Sequence, residues 1–165
     1  MNKKTASSSQ PDEKFMKRAI ELSRIHMQAG DGGPFGAVLV KDGKIVGEGW
    51  NSVTSTNDPT AHAEVVAIRN ACKNLINFEL LEVDLYTSCE PCPMCLAAAY
   101  WARIKNIYYA STRQDAARHD FDDDFIYKEI SLDIEDRAIP MKQILQAEAY
   151  EVFKEWDYKE NKIRY

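Results

Sequence analysis

The sequence predicts an α/β fold in which a partly parallel sheet carries helices on its faces and has an antiparallel hairpin at one edge. After residue 60, short apolar runs alternate with segments of helical periodicity, a pattern typical of parallel strands joined by helices. Asp42-Gly43 separates two earlier apolar runs and indicates a hairpin, because both positions of a tight turn need positive φ. With 165 residues, 45% hydrophobic and 28% charged, the chain suits one globular domain.

Capping residues, apolar runs and periodicity predict the elements in order. Asp12 can cap a first helix that extends to about Ala29, and the three glycines within residues 30–34 end it. Apolar runs predict strands at 35–40, 45–50, 81–87 and 104–110. Helical periodicity predicts one helix from about 63 to 75 and another from the cysteine-rich turn to about 103, with a polar loop at 51–60.

The sequence signals for helices and strands are weaker after residue 111. They predict short helices at 114–118 and 124–129, a strand at Ile139–Leu145 and a helix at 147–156. Residues 1–11 are polar and end in Pro11, which predicts a flexible N-terminal tail. Residues 12–165 are expected to form a single domain.

Charge and hydropathy argue against two kinds of partner. The net charge of −5, from 26 acidic and 21 basic residues, argues against a nucleic acid held mainly through its phosphates. No apolar run approaches the ~18 residues that a membrane span needs, and residues 1–10 lack the apolar stretch of a secretory signal. A cytoplasmic location without a membrane partner is therefore expected.

Three of the four cysteines, Cys89, Cys92 and Cys95, lie within seven residues. In a reducing compartment such a cluster more often binds a metal or does chemistry than forms disulfides. Cys92 and Cys95, three residues apart at the start of a predicted helix, can direct both sulfurs to one ion, and His62 opens another helix. One imidazole and two thiolates suit Zn²⁺, which lowers the pKa of a water in the fourth position.

Glu64 follows His62 by two residues, close enough to lie beside the metal without binding it. A carboxylate there can take a proton from the water and deliver it to a ring nitrogen and then to the leaving amine. The combination of H-x-E with P-C-x-x-C is the signature of zinc deaminases that act on nucleobases. Spacing alone leaves open a closed structural zinc site with Cys89 as the fourth ligand, whereas Cys72, on an apolar helix face, suits the core.

Two segments, TAHAEVVAIRNAC and YTSCEPCPMCLAAAYWARI, resemble the cytidine-deaminase-like superfamily. GGPFGAVLVKDG, NDPTAHAE, FDDDFIYKEI and the terminal aromatic residue are similar to the small zinc-type guanine deaminases, from the first helix to Tyr165. The resemblance implies a three-layer α/β/α sandwich around a mixed five-stranded sheet, one Zn²⁺ per subunit, and hydrolysis of guanine to xanthine and ammonia. It also implies a homodimer in which the C-terminal segment closes the partner's pocket and brings Tyr165 with it.

The resemblance also implies a role for each site residue. The zinc ligands would be His62, Cys92 and Cys95. The proton shuttle would be Glu64. The purine contacts would be Asn51 and Asp123 on the polar edge, Phe35 and Trp101 on the ring faces, and the backbone N–H of Ala63 at the oxygen on the zinc side. These assignments make chemical sense, since guanine's N–H groups suit a carboxylate and its O6 and N7 suit an amide donor. Aromatic stacking on a base contributes ~1–3 kcal/mol for each ring.

Simpler roles are open for several of these residues. Asn51 could be a turn residue, Asp123 a solvated helix cap, Phe35 and Trp101 core aromatics, and Tyr165 a mobile chain end. Within the same chemistry, the alternatives are a tRNA adenosine deaminase and a deaminase of a nucleoside, a cytosine-like ring or an amino-triazine such as ammeline. A zinc-stabilised interaction module without catalysis is the alternative from a different class of protein.

Overall fold

A computed structural model of the chain describes residues 10–165. The expected flexible tail lies largely outside this range, with only its last two residues inside. The chain divides into two compact units, the first ending at Asp123 and the second formed by Asp124–Tyr165. Each unit is described by itself, and a single domain over 12–165 stays a prediction.

The first unit contains the predicted alternation of strands and helices. Its elements in chain order are α1 (Glu13–Ala29), β1 (Gly36–Lys41), β2 (Lys44–Trp50), α2 (Val53–Thr56), α3 (Ala63–Leu75), β3 (Asp84–Cys89), α4 (Pro93–Trp101), β4 (Asn106–Ser111) and α5 (Arg113–Ala117). The short helix α2 lies inside the segment that was predicted as a polar loop.

The capping and turn predictions are confirmed at the first helix and hairpin. The Asp12 side chain accepts a hydrogen bond from the Lys14 backbone N–H, and Gly30, with φ of 81°, ends α1 in the left-handed region. In the β1–β2 turn, Asp42 and Gly43 have φ of 49° and 71°, as a tight hairpin with two positive-φ positions requires.

The sheet of the first unit has the strand order β2-β1-β3-β4. β1 pairs antiparallel with both β2 and β3, and β3 pairs parallel with β4. The predicted mixed sheet with a hairpin at its edge is therefore correct. β3 begins three residues later than predicted, since Glu82 adopts a left-handed φ of 61° that interrupts an extended strand.

The implied five-stranded sheet is wrong for the described residues, which form four strands. The strand predicted at Ile139–Leu145 is irregular chain, and its apolar side chains are exposed. Pro140 removes one backbone donor from the segment. Within residues 124–165 there is also no second strand with which it could pair.

Helices cover both faces of the first unit's sheet, giving three layers. Alternate residues of β1 point to opposite faces, so Val38 and Val40 pack with Phe15 and Leu22 of α1. Ala37 and Leu39 pack on the other face with α3 and with core residues that follow it. The side chains of both clusters are almost fully buried, and they hold α1 and α3 on opposite faces of the sheet.

Close approach of α3 to β2 depends on glycines in the strand. A Cβ at Gly49 would lie 2.3 Å from the Ala63 carbonyl oxygen and 2.4 Å from the Ala67 nitrogen. Gly47 makes a similar approach to the next turn, at 2.6 Å from the Ala67 carbonyl oxygen. These contacts are with backbone atoms, which cannot rotate away as a side chain can. The N-terminal turn of α3 is therefore seated directly against the strand.

The second unit consists of α6 (Asp124–Glu129), a 3₁₀ turn (Ile134–Asp136) and α7 (Gln146–Tyr158). Lys128 and Asp124 form an ion pair one turn apart on α6, and Glu129 accepts a hydrogen bond from the Ala138 backbone N–H at 2.8 Å. In the part of the chain that the structure describes, no helix has the length and apolar character needed to cross a membrane.

Replacing Gly49 with alanine tests the seating of α3. The added methyl group would overlap the backbone of α3, and overpacking of this kind costs ~1–3 kcal/mol. We expect a lower midpoint of urea unfolding for Gly49→Ala. Lys44→Ala, at an exposed position of the same strand, should change stability by less than about 0.5 kcal/mol. Equal stability of the two variants would contradict this packing.

Candidate active site

The starts of α3 and α4 bring together one imidazole and two thiols. His62 is the N-cap of α3 and Cys92 the N-cap of α4, with Cys95 in the first turn of α4. Two helix starts therefore supply all three groups. The unsatisfied backbone N–H groups of a first turn favour negative charge nearby, which suits thiolates.

The distances among these groups fit a zinc ion. His62 Nδ1 lies 3.5 Å from Cys92 Sγ and 3.6 Å from Cys95 Sγ. Zinc bonds of ~2.3 Å to sulfur and ~2.0–2.1 Å to nitrogen, at a tetrahedral angle, would separate the two ligand atoms by about 3.6 Å. Among the described residues, His62, Cys92 and Cys95 form the group whose ligand atoms could hold a metal, all within 4.8 Å of one another.

The charges of the two sulfurs also point to a cation. The hydrogen bond from the Cys95 thiol lowers the pKa of Cys92 to about 4, and the same shared proton, together with burial, raises the pKa of Cys95. A divalent cation would stabilise both as thiolates, as zinc coordination requires.

Glu64 lies in the first turn of α3 and is only 6% exposed. Thr87 Oγ1 donates a hydrogen bond to Glu64 Oε1 at 3.3 Å. Burial raises the pKa of the Glu64 carboxyl. Sequence reasoning missed Thr87, although a polar residue in the middle of an apolar strand, on the same face as Leu85, was an available signal.

Cys89 does not belong to the metal-binding group of the described residues. Its Sγ lies 3.6 Å from the carbonyl oxygen of Thr112, to which it donates. Burial raises the pKa of the Cys89 thiol to about 11. The arrangement favours an open coordination position over the closed four-ligand site. Cys72 packs against the core on the α3 side, which confirms its predicted core role.

Asn51 follows directly after β2 and is 7% exposed. Its Oδ1 accepts hydrogen bonds from the backbone N–H groups of Gly33, at 3.2 Å, and Val53, at 3.3 Å. Two donors facing one atom identify that atom as the oxygen, so the opposite edge of the amide is its NH₂ group. Asn51 thus has a structural role in the turn and a fixed orientation of its donor.

Asp123 and Phe35 lie on the side of the first unit that carries the metal ligands. Burial raises the pKa of the half-buried Asp123 carboxyl, and the negative charge of Cys92 raises it further, which places the two groups within electrostatic range. The Phe35 ring packs edge-to-face on Phe121, with ring centroids 4.9 Å apart. Phe121 entered the sequence analysis only as the first residue of the FDDDFIYKEI motif, and this contact was not predicted.

The remaining three predicted residues occupy different places. Ala63 is fully buried and begins α3, so its N–H belongs to the first turn and has no acceptor within the helix. Trp101 is the last residue of α4 and is 71% exposed, about 12 Å along the helix from the cysteine end. Tyr165 ends the second unit and is exposed. Within one chain, the structure does not bring Trp101 to the metal-binding group.

The family is established by comparison with known proteins. The model of the cytidine and deoxycytidylate deaminase zinc-binding region matches residues 9–111. The chain belongs to this family of zinc-dependent deaminases, which confirms the resemblance predicted from the sequence and identifies zinc as the metal for the site.

Relatives in this family include guanine and tRNA deaminases. Guanine deaminase of Bacillus subtilis is 56% identical over 153 residues, covering 93% of this chain and 98% of the relative. The X-ray structure of guanine deaminase from Bacillus subtilis superimposes with a TM-score of 0.91 at 54% identity, covering 94% of this chain and 99% of the other. The tRNA-specific adenosine deaminase of Haemophilus influenzae is 44% identical over 119 residues, 69% of this chain and 68% of that protein.

Serine substitutions distinguish the metal-binding sulfurs from Cys89. We expect Cys92→Ser to lose most of its zinc, because an alcohol is a far weaker ligand than a thiolate. Cys89→Ser should keep about one zinc per chain, because the Cys89 thiol is hydrogen-bonded to a carbonyl oxygen and does not belong to the metal-binding group. Metal analysis after dialysis against a weak chelator measures both. Loss of zinc from Cys89→Ser would instead favour the closed structural site.

Proposed function

We propose that this protein is a guanine deaminase, which hydrolyses guanine to xanthine and ammonia. The observation that carries the proposal is the buried Glu64 carboxylate beside a three-ligand zinc site with an open position. A closed zinc module would not need a buried acid there. The near full-length similarity to Bacillus subtilis guanine deaminase supports the substrate.

The chemistry requires a nucleophile and a movable proton. Zinc, when bound by His62, Cys92 and Cys95, supplies an activated water at its open position. Glu64 accepts one proton from that water and passes it to the ring nitrogen N3, then takes the second proton from the oxygen now bonded to C2 and passes it to the amine. The C2–N bond breaks, ammonia leaves, and C2 keeps the oxygen. The raised pKa of Glu64 suits a group that must take up and release the same proton.

Polar groups on two sides would orient the purine. We assign the NH₂ edge of Asn51 to the acceptors O6 and N7, because its Oδ1 is already occupied by two backbone donors. The Asp123 carboxylate, within electrostatic range of Cys92, would accept from N1–H and the exocyclic amine. The Ala63 N–H would bind the oxygen that forms on the zinc side, and Phe35 would pack on a ring face.

Trp101 and Tyr165 would complete the pocket from a second copy of the chain. Trp101 lies at the far end of α4 from the cysteines, so a role at the substrate needs a neighbouring subunit. In the second unit, Val152 and Phe153 of α7 are 63% and 68% exposed, and exposed apolar side chains of this kind are typical of interfaces. We therefore assign a homodimer. The four free cysteines support a reducing, cytoplasmic location.

A tRNA adenosine deaminase is the second candidate, because such enzymes are among the relatives. That activity needs a basic path for the phosphate backbone. Residues 115–129 include six acidic side chains, against two lysine or arginine residues and one histidine. The same relative also matches a smaller part of this chain than guanine deaminase does. Charge and coverage both favour a free base as the substrate.

Replacing Glu64 with glutamine tests the proton transfer. Glutamine preserves the shape but cannot carry the proton, so we expect deamination to fall by about 10³-fold or more. Zinc content and the unfolding midpoint should stay close to those of the parent enzyme. Glu79→Gln, which removes a partly exposed carboxylate that is paired with Arg103, is the matched control and should keep full activity. Unchanged turnover in Glu64→Gln would contradict the mechanism.

A substrate panel tests the choice of guanine. Ammonia release is measured with guanine, guanosine, cytosine, ammeline and an RNA anticodon stem-loop that contains adenosine. We expect the highest kcat/KM for guanine, because it presents N1–H, the exocyclic amine and N7 together and carries no ribose on N9. Turnover of the stem-loop with no turnover of guanine would overturn the assignment in favour of tRNA editing. Highest activity on ammeline would instead identify an amino-triazine as the substrate.

A further inference from the structure

A histidine outside the metal site links two chain segments that meet at Asn51. His26 lies in the last turn of α1, and its ring is parallel to that of Trp50, with centroids 3.6 Å apart and an interplanar angle of 2°. His26 Nδ1 is also 2.6 Å from Asp31 Oδ2. A carboxylate oxygen accepts hydrogen bonds, so Nδ1 carries the hydrogen and donates it.

Asp31 connects the C-terminal end of α1 to α2. Its backbone N–H donates to the His26 carbonyl oxygen at 3.0 Å. Its own carbonyl oxygen accepts from the Ser55 N–H, at 3.2 Å, and from Thr54 Oγ1, at 3.1 Å. The side-chain hydrogen bond with His26 is the fourth that Asp31 makes. Asp31 is thus fixed on both sides, and the loop that follows it starts from a defined position.

The loop after Asp31 is seated directly on Asn51. The Gly33 N–H donates to Asn51 Oδ1, and the Asn51 N–H donates to the Phe35 carbonyl oxygen at 3.0 Å. A Cβ at Gly32 would lie 2.3 Å from Asn51 Oδ1, so the loop backbone contacts the amide with no space between them. Movement of this loop would shift Asn51 and Phe35 together.

His26 therefore acts on Asn51 by two routes. One runs through Asp31 and the loop to Gly33, and the other through Trp50, which directly precedes Asn51 and packs against the α1 side of the core. The His26 and Asp31 side chains are only 20% and 34% exposed. Shielding from water strengthens their hydrogen bond.

We propose that His26 is a positioning residue for substrate binding, which holds Asn51 and Phe35 in the geometry that the purine requires. This inference rests on the proposed contact of Asn51 with guanine. A plainer role for His26 would be to stabilise the C-terminal end of α1 through its hydrogen bond with Asp31. The two roles differ in their effect on KM, since a helix-end role would change stability without changing the substrate site.

Three variants of His26 separate the hydrogen bond from the ring contact. His26→Ala removes both and should raise KM for guanine by roughly ten- to a hundredfold, with kcat within about threefold. His26→Asn places a donor near the position of Nδ1 and should recover most of the lost affinity. His26→Phe keeps a ring on Trp50 without the donor and should retain a raised KM. All three should keep about one zinc per chain.

Arg18→Ala is the matched control. Arg18 also joins α1 to β2, through Glu48 at 2.8 Å, but it contacts neither Asp31 nor Asn51 in the hydrogen bonds of the described residues. It should lower the unfolding midpoint without changing KM. If His26→Ala does not fold, the KM values of His26→Asn and His26→Phe show whether the hydrogen-bond donor positions the substrate site.

The outcomes distinguish this inference from the proposed function. Parent enzyme that releases no ammonia from guanine would refute the proposed function itself. Active parent enzyme with an unchanged KM in His26→Ala and His26→Phe would overturn the positioning role alone. An equal rise of KM in Arg18→Ala would also overturn it, because any loosening of α1 would then suffice.

Discussion

The meeting of two helix starts around one cation is the constraint on which the rest of the structure depends. His62 caps α3, Cys92 caps α4, and their ligand atoms lie at the separation that zinc requires. Neither helix can shift without breaking this geometry. α3 is held on the sheet by the backbone contact with Gly49, and α4 follows β3 after a turn of only three residues. Strands β2 and β3 therefore fix the distance between the imidazole and the sulfurs, and through α3 they also fix Glu64.

The metal-binding residues and the proposed substrate contacts lie on different kinds of structure. The metal ligands and Glu64 lie on first turns of helices packed against the sheet, where the backbone is rigid. Asn51, Phe35 and Asp123 lie at strand ends or in loops, where side chains can vary without disturbing the metal. This division explains how one zinc-binding region can occur in proteins that act on a free base and in others that act on tRNA. If Asn51 and Phe35 bind the purine as proposed, the loop after α1 determines how the substrate is placed.

The sequence predicted the metal-binding group because its signals are local. Ligands three residues apart at a helix start need only the helix to be correct, and the Asp42-Gly43 turn is equally local. The contacts that sequence reasoning missed join distant segments, as Thr87 joins Glu64 and His26 joins Trp50. The strand at Ile139–Leu145 failed for the same reason, since a strand needs a partner that its own pattern does not reveal. The roles of Asn51 and Asp123 in binding stay predictions.

X-ray absorption at the zinc edge of the metal-loaded enzyme tests the central claim most directly, because it counts the ligands that each metal ion has. The account predicts two sulfur neighbours at ~2.3 Å and two nitrogen or oxygen neighbours at ~2.0–2.1 Å. The two sulfurs would be those of Cys92 and Cys95. Cys89 would keep its hydrogen bond to the Thr112 carbonyl oxygen. Three sulfur neighbours would show that Cys89 closes the site. They would contradict both the open coordination position and the role proposed for Glu64.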